Sequence, residues 1–91
     1  MKHQNSPRDR EHLRHLERVF WIDLQIRANR HPNNTTIAAH FETTPKTAQR
    51  TIEFMRDRLR LPIEYSAADR GWYYTEPVYA LPAIELTEGD L

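Results

Sequence analysis

The 91-residue sequence contains no cysteine, which excludes a disulfide framework and thiolate chemistry and fits a reducing compartment. Its two glycines, Gly71 and Gly89, are too few for a glycine-rich phosphate loop. No run approaches the roughly 18 apolar residues of a membrane-spanning helix, and the opening MKHQNSPRDREH lacks the apolar segment of a secretory signal. The apolar fraction, 38%, supports the modest core of one small domain and not a deep substrate cavity. With no paired-carboxylate arrangement either, the sequence offers no catalytic constellation, and a non-enzyme is expected.

Net charge is also absent, but the charges are unevenly placed. Residues 1–60 hold twelve of the thirteen Lys and Arg against seven acids, a balance of +5; residues 61–91 hold Arg70 against six acids, a balance of −5. Such polarity presents a basic face to a polyanion while the other end stays acidic. On charge alone, ordinary solvated surface is the alternative.

The basic part is organised around TTIAAHFETTPKTAQRTIEFMRDRLR, residues 35–60. A short helix over about 35–41, a tight turn at Glu42, Thr43 and Thr44, and a longer helix from about Pro45 to Leu59 are predicted. Thr44 can cap free amides, and Pro45 suits the first helical position, where a missing N–H goes unpaired anyway. Ala48, Ile52, Met55 and Leu59 recur at helical spacing as one apolar stripe. The opposite face carries Lys46, Gln49, Arg50, Glu53 and Arg56. A buried stripe behind a basic, amide-bearing outer face is what major-groove reading requires.

Around this pair, residues 1–7 are expected to be disordered and a first helix to span about Arg8 to Ala28. Leu13, Leu16, Phe20 and Leu24 form one apolar ridge, and Val19, Ile22 and Ile26 a second, together a broad buried face interrupted by Asp23 and Arg27. Trp21 points the other way, either exposed or against a partner. NRHPNN is a loop, and Thr35 or Thr36 caps the second helix, with Ile37, Ala38 and Phe41 inward. Pro62 ends the third helix, after which the period changes to that of strands: residues 62–66, a turn at AADRG with Arg70 at its bend, and residues 72–75. Ile63, Tyr65 and some of the aromatics are expected to pack back on the helices, because an isolated hairpin is marginal in water. Residues 77–91 read as a linker with Val78, Tyr79 and Leu81 tucked in. They end in LTEGDL, a helix start that suggests the N-terminal part of a longer protein.

These residues resemble a known family. Thr44, Thr47, Arg50, Ile52, Met55-Arg56, Pro62-Ile63 and Gly71-Trp72-Tyr73 occupy the places of the pattern found in the N-terminal winged helix-turn-helix of WYL-domain (DeoR-like) bacterial transcriptional regulators, over roughly residues 13–91. Two positions depart from it: Thr51 stands where Asp is usual, leaving Arg50 less restrained, and Ala48 where Ile or Val is commoner. The resemblance implies a mainly α fold of three helices plus a wing, with the DNA-binding domain over residues 8–76. It implies a cytoplasmic, nucleoid-associated homodimer that acts on an inverted-repeat operator, as a repressor or an activator. It also implies a missing C-terminal effector domain whose ligand the sequence does not identify. Several regulators of this family sit beside bacterial phage-defence genes.

The expected DNA contacts follow from side-chain chemistry. Lys46, Gln49 and Arg50 are candidates for base edges, Arg bidentate to guanine and Gln to adenine. Thr44 and Thr47, flanking Pro45 and Lys46 at the third helix's start, are short donors suited to phosphates or a thymine methyl, with Pro45 counted among the contacts; Thr35 and Thr36 at the second helix's start suit the backbone, since helix N-termini attract phosphate. Arg56 extends the basic face, and Arg70 reaches a phosphate or the minor groove. Glu53 is more simply an ion-pair partner of Arg50 or Arg56. His12 and His15, with Glu11 beside them and His31 and His40 far off in sequence, fall short of the three or four converging ligands a zinc site needs, so no metal or other cofactor is expected. Trp72, Tyr73 and Tyr74 could stack single-stranded bases, but two of them are more simply hairpin core. The competing reading from another class is a winged-helix protein-interaction module without DNA readout, kept open by Phe54 and Trp21.

Overall fold

The computed structural model describes residues 7–82, with side chains of the first helix from Arg10 onward. Three helices, α1 (Pro7–Arg27), α2 (Asn34–Phe41) and α3 (Pro45–Asp57), precede an antiparallel hairpin of β1 (Ile63–Ser66) and β2 (Gly71–Tyr74). The architecture is mainly helical and compatible with a winged helix. Pro7 opens α1, so the helix takes in the last residue of the segment expected to be disordered. The helix start read at LTEGDL lies outside the described residues.

The core forms where α1, α2, α3 and the hairpin meet. Val19, Ile22, Ile37, Ala48, Ile52 and Met55 are wholly buried, joined by Ile26, Leu61, Ile63 and Trp72. The α3 stripe is therefore as read, except that Leu59 lies past the helix end and is only half-buried. That helix stops two residues earlier than expected. Arg60 adopts a left-handed backbone (φ 58°), and the Leu61 amide reaches back to the Met55 carbonyl at 3.0 Å, closing the last turn.

On α1 only one of the two apolar ridges is buried. Val19, Ile22 and Ile26 face the core, whereas Leu13, Phe20 and Leu24 are 48%, 52% and 62% exposed. The neighbouring elements cover a narrower arc of α1 than the two ridges span. Trp21 is not exposed: its ring stacks on His40 with centroids 4.1 Å apart and meets Phe41 edge-on at 5.5 Å, docking α1 onto α2.

The polar interruptions of the α1 face have partners. Asp23 is buried and accepts from the Tyr74 hydroxyl (2.7 Å) and from Arg27 Nε (3.1 Å). A second guanidinium nitrogen of Arg27 donates to the Tyr79 carbonyl at 2.9 Å, strapping the chain after β2 along α1. Val78 and Leu81 pack on the core there, but the Tyr79 ring, expected to tuck in, is 86% exposed.

The α1–α2 connection is clamped to the hairpin. The Trp72 amide donates to the Pro32 carbonyl at 2.8 Å and Asn33 Nδ2 to the Arg70 carbonyl at 3.1 Å. A Cβ on Gly71 would lie 1.9 Å from the His31 carbonyl oxygen, so only glycine fits this approach. Across the strands, Tyr65 pairs with Trp72 edge-to-face at 5.2 Å.

Candidate nucleic-acid interface

The pair α2–α3 owes its geometry to local capping. Asn33, not Thr35 or Thr36, caps α2: its side chain accepts from the Thr36 amide at 2.8 Å, while Thr36 Oγ1 accepts from the Asn33 amide at 2.9 Å. An Asn two residues before the expected start completes a capping box that the Thr pair cannot. Glu42 ends α2 in a left-handed conformation (φ 54°), and the Thr43 amide returns to the Ala38 carbonyl at 2.9 Å. Thr44 then caps α3, accepting from the Thr47 amide at 3.2 Å, with Pro45 in the first turn.

The expected contact residues divide into two groups. Lys46, Arg50 and Arg70 are exposed, and none enters an ion pair among the described residues. Thr35 and Pro45 are likewise exposed. The others are engaged. The Thr36 hydroxyl belongs to the capping box, Thr44 Oγ1 donates to Thr47 Oγ1 at 3.2 Å, and Arg56 Nε pairs with Asp57 at 3.3 Å. Gln49 is half-buried and held on both sides of its carboxamide: Oε1 accepts from Asn34 Nδ2 at 2.7 Å and Nε2 donates to Glu53 Oε2 at 3.2 Å. Glu53 thus partners Gln49 and not Arg50 or Arg56. Asn34 Oδ1 accepts in turn from the Trp72 indole at 3.0 Å. The roles of Asn34 and Trp72 went unread in the sequence, whose only signal was the paired Asn in a turn.

Position 51 does not govern Arg50. Thr51 is wholly buried, donates its hydroxyl to the Thr47 carbonyl at 3.2 Å, and accepts from Arg18 Nε of α1 at 3.2 Å. The Arg18 guanidinium, itself buried, reaches Glu11 at 3.4 Å. A side chain one residue along a helix is turned by about 100°, which puts position 51 on the core side while Arg50 faces solvent.

His15 is half-buried edge-on to Phe54, ring centroids 4.5 Å apart, and its pKa is lowered by burial first, then by Arg18 and His12, with Glu11 opposing. His31 lies 3.3 Å from Asp69 of the hairpin turn, and His40 on Trp21. Among the described residues no three His, Asp or Glu side chains converge for a metal ion, and no helix is long and apolar enough to cross a membrane.

No family model, curated protein or solved structure matches the chain.

Proposed function

We propose that this chain is the winged helix-turn-helix of a sequence-specific double-stranded DNA-binding transcriptional regulator. In this reading α3 enters the major groove by its N-terminal half, the start of α2 meets the phosphate backbone, and the hairpin is a wing. The observation that carries the proposal is the outer face of α3: Lys46 and Arg50 stand exposed on a helix that Thr44 caps and whose opposite side is wholly buried. Arg70 stands exposed at the hairpin bend, with its backbone fixed to Asn33, the residue that caps α2. A rigid, one-sided basic helix beside a clamped basic turn suits groove reading with a flanking backbone contact.

A second reading has one observation in its favour. The exposed ridge of Leu13, Phe20 and Leu24 is an apolar surface that a protein-interaction module would use. It equally suits a homodimer on an inverted repeat, so it does not displace the first reading.

Titration against random duplex DNA and against the chain's own promoter region, each at two salt concentrations, tests the proposal. Promoter-selective binding that weakens with salt is expected. Absence of binding to either DNA at low salt would overturn it in favour of the interaction module.

A further inference from the structure

The hydrogen bonds that hold Gln49 form a relay of fixed direction. It starts at the Trp72 indole N–H, which can only donate, and ends at the Glu53 carboxylate, which can only accept. Asn34 Oδ1 must therefore receive the indole proton (3.0 Å), leaving Asn34 Nδ2 to donate to Gln49 Oε1 (2.7 Å), and Gln49 Nε2 to donate to Glu53 Oε2 (3.2 Å). Both ends forbid reversal, so the amide orientations of Asn34 and Gln49 follow from chemistry. The Gln49 oxygen is turned to the partly buried Asn34, and its nitrogen to the exposed Glu53.

From this the geometry points to Trp72 and Asn34 as positioning residues that make Gln49 a hydrogen-bond donor toward the major groove and, with Glu53 beside it, select a G·C base pair. The inference rests on the DNA-reading proposal. Bidentate recognition of adenine by glutamine needs the amide oxygen and nitrogen presented together, and here the oxygen is turned to the partly buried Asn34 at 2.7 Å while the nitrogen is turned to the exposed Glu53. The group on the exposed side is the second Nε2 hydrogen, which suits guanine O6 or N7, next to a carboxylate, which suits the N4 amino group of cytosine. The glutamine read from the sequence as an adenine contact thus acquires the opposite preference from its neighbours. The relay also ties the hairpin to α3 through Asn34, the first residue of α2.

The test is selection from a random duplex DNA pool by the full chain, by Gln49→Ala and by two relay variants, with sequencing of the bound fraction. Asn34→Asp still accepts from the indole but cannot donate to Gln49, and an acid at a helix N-terminus leaves α2 well started. Trp72→Phe keeps a buried ring and removes the donor. The unaltered chain is expected to enrich a motif containing one G·C pair whose preference disappears in Gln49→Ala. Both relay variants should reduce that preference from about tenfold to less than about threefold with the other positions unchanged; Trp72→Phe should also leave the salt dependence unchanged, whereas the charge added by Asn34→Asp weakens binding to all sequences alike. A nuclear magnetic resonance spectrum of the DNA-free protein reads the relay itself: the Gln49 carboxamide resonances should shift in both variants. Unshifted resonances, or a motif with A·T at that position, or one that both variants leave intact, would overturn the inference while the DNA-reading proposal stands. Shifted resonances with no motif enriched by the unaltered chain would overturn both.

Discussion

The Tyr74 hydroxyl donates to the buried Asp23 carboxylate at 2.7 Å, joining the last residue of the hairpin to the C-terminal part of α1. Arg27 Nε approaches the same carboxylate at 3.1 Å, and the Arg27 guanidinium holds the Tyr79 carbonyl at 2.9 Å. One carboxylate therefore organises the hairpin, α1 and the chain that follows. Burial raises the pKa of the tyrosine, and the bond to Asp23 raises it further, so the phenol remains a donor well above neutral pH.

Tyr74→Phe removes that donor and leaves Asp23 buried with Arg27 alone. The expected loss of stability is about 1–3 kcal/mol, the usual range when a buried polar group loses a partner. Urea denaturation of the two proteins measures it; an unchanged midpoint would mean the contact contributes nothing.

Thr51→Val is nearly isosteric and removes only the hydroxyl that receives Arg18 Nε. Because the Arg18 side chain is 8% exposed, its lost partner is not replaced by water. A destabilisation of about 1–3 kcal/mol is expected, with affinity for duplex DNA changed no more than the folded fraction requires. A selective loss of DNA binding at full folding would instead connect position 51 to the outer face of α3.

How much of this was legible in the sequence depended on the kind of signal. The Thr44-Pro45 start and the Ala48, Ile52 and Met55 stripe were readable because capping and helical spacing are local. The hairpin was readable from its change of period. The cap of α2 shifted to Asn33, since Asn, Thr and Thr are all competent caps and only the reciprocal bond chooses among them. The exposed Leu13, Phe20 and Leu24 ridge and the Trp21–His40 stack were not readable, because they depend on which arc of α1 its neighbours cover. The Trp72–Asn34–Gln49 relay joins three elements across up to 38 residues and has no periodic trace in the sequence.

His15 should contribute a loss of stability as pH drops through the histidine range. Its folded pKa lies below the ordinary 6.5, so the unfolded chain takes up this proton first as pH falls. The contribution is present above the unfolded value and is lost as pH falls toward the folded value. Urea midpoints at about pH 8 and about pH 5.5 should differ more in the unaltered protein than in His15→Gln. Comparing the two proteins isolates His15 from the other histidines. An equal difference in both would remove His15 as a source of the pH dependence.

The two ridges of α1 make opposite predictions for chemically similar substitutions. Ile22→Ala removes a wholly buried side chain and should destabilise by about 2–5 kcal/mol. Leu24, two residues away, is 62% exposed, and Leu24→Ala should fall within about 0.5 kcal/mol of the unaltered protein when the chain is dilute. The same denaturation series repeated at high protein concentration adds a second readout. If the ridge of Leu13, Phe20 and Leu24 joins copies of the chain, the unaltered protein gains stability with concentration and Leu24→Ala gains less, because association stabilises the folded state by mass action. A concentration-independent midpoint in both would leave the ridge without a role in self-association and direct attention to a different partner for it.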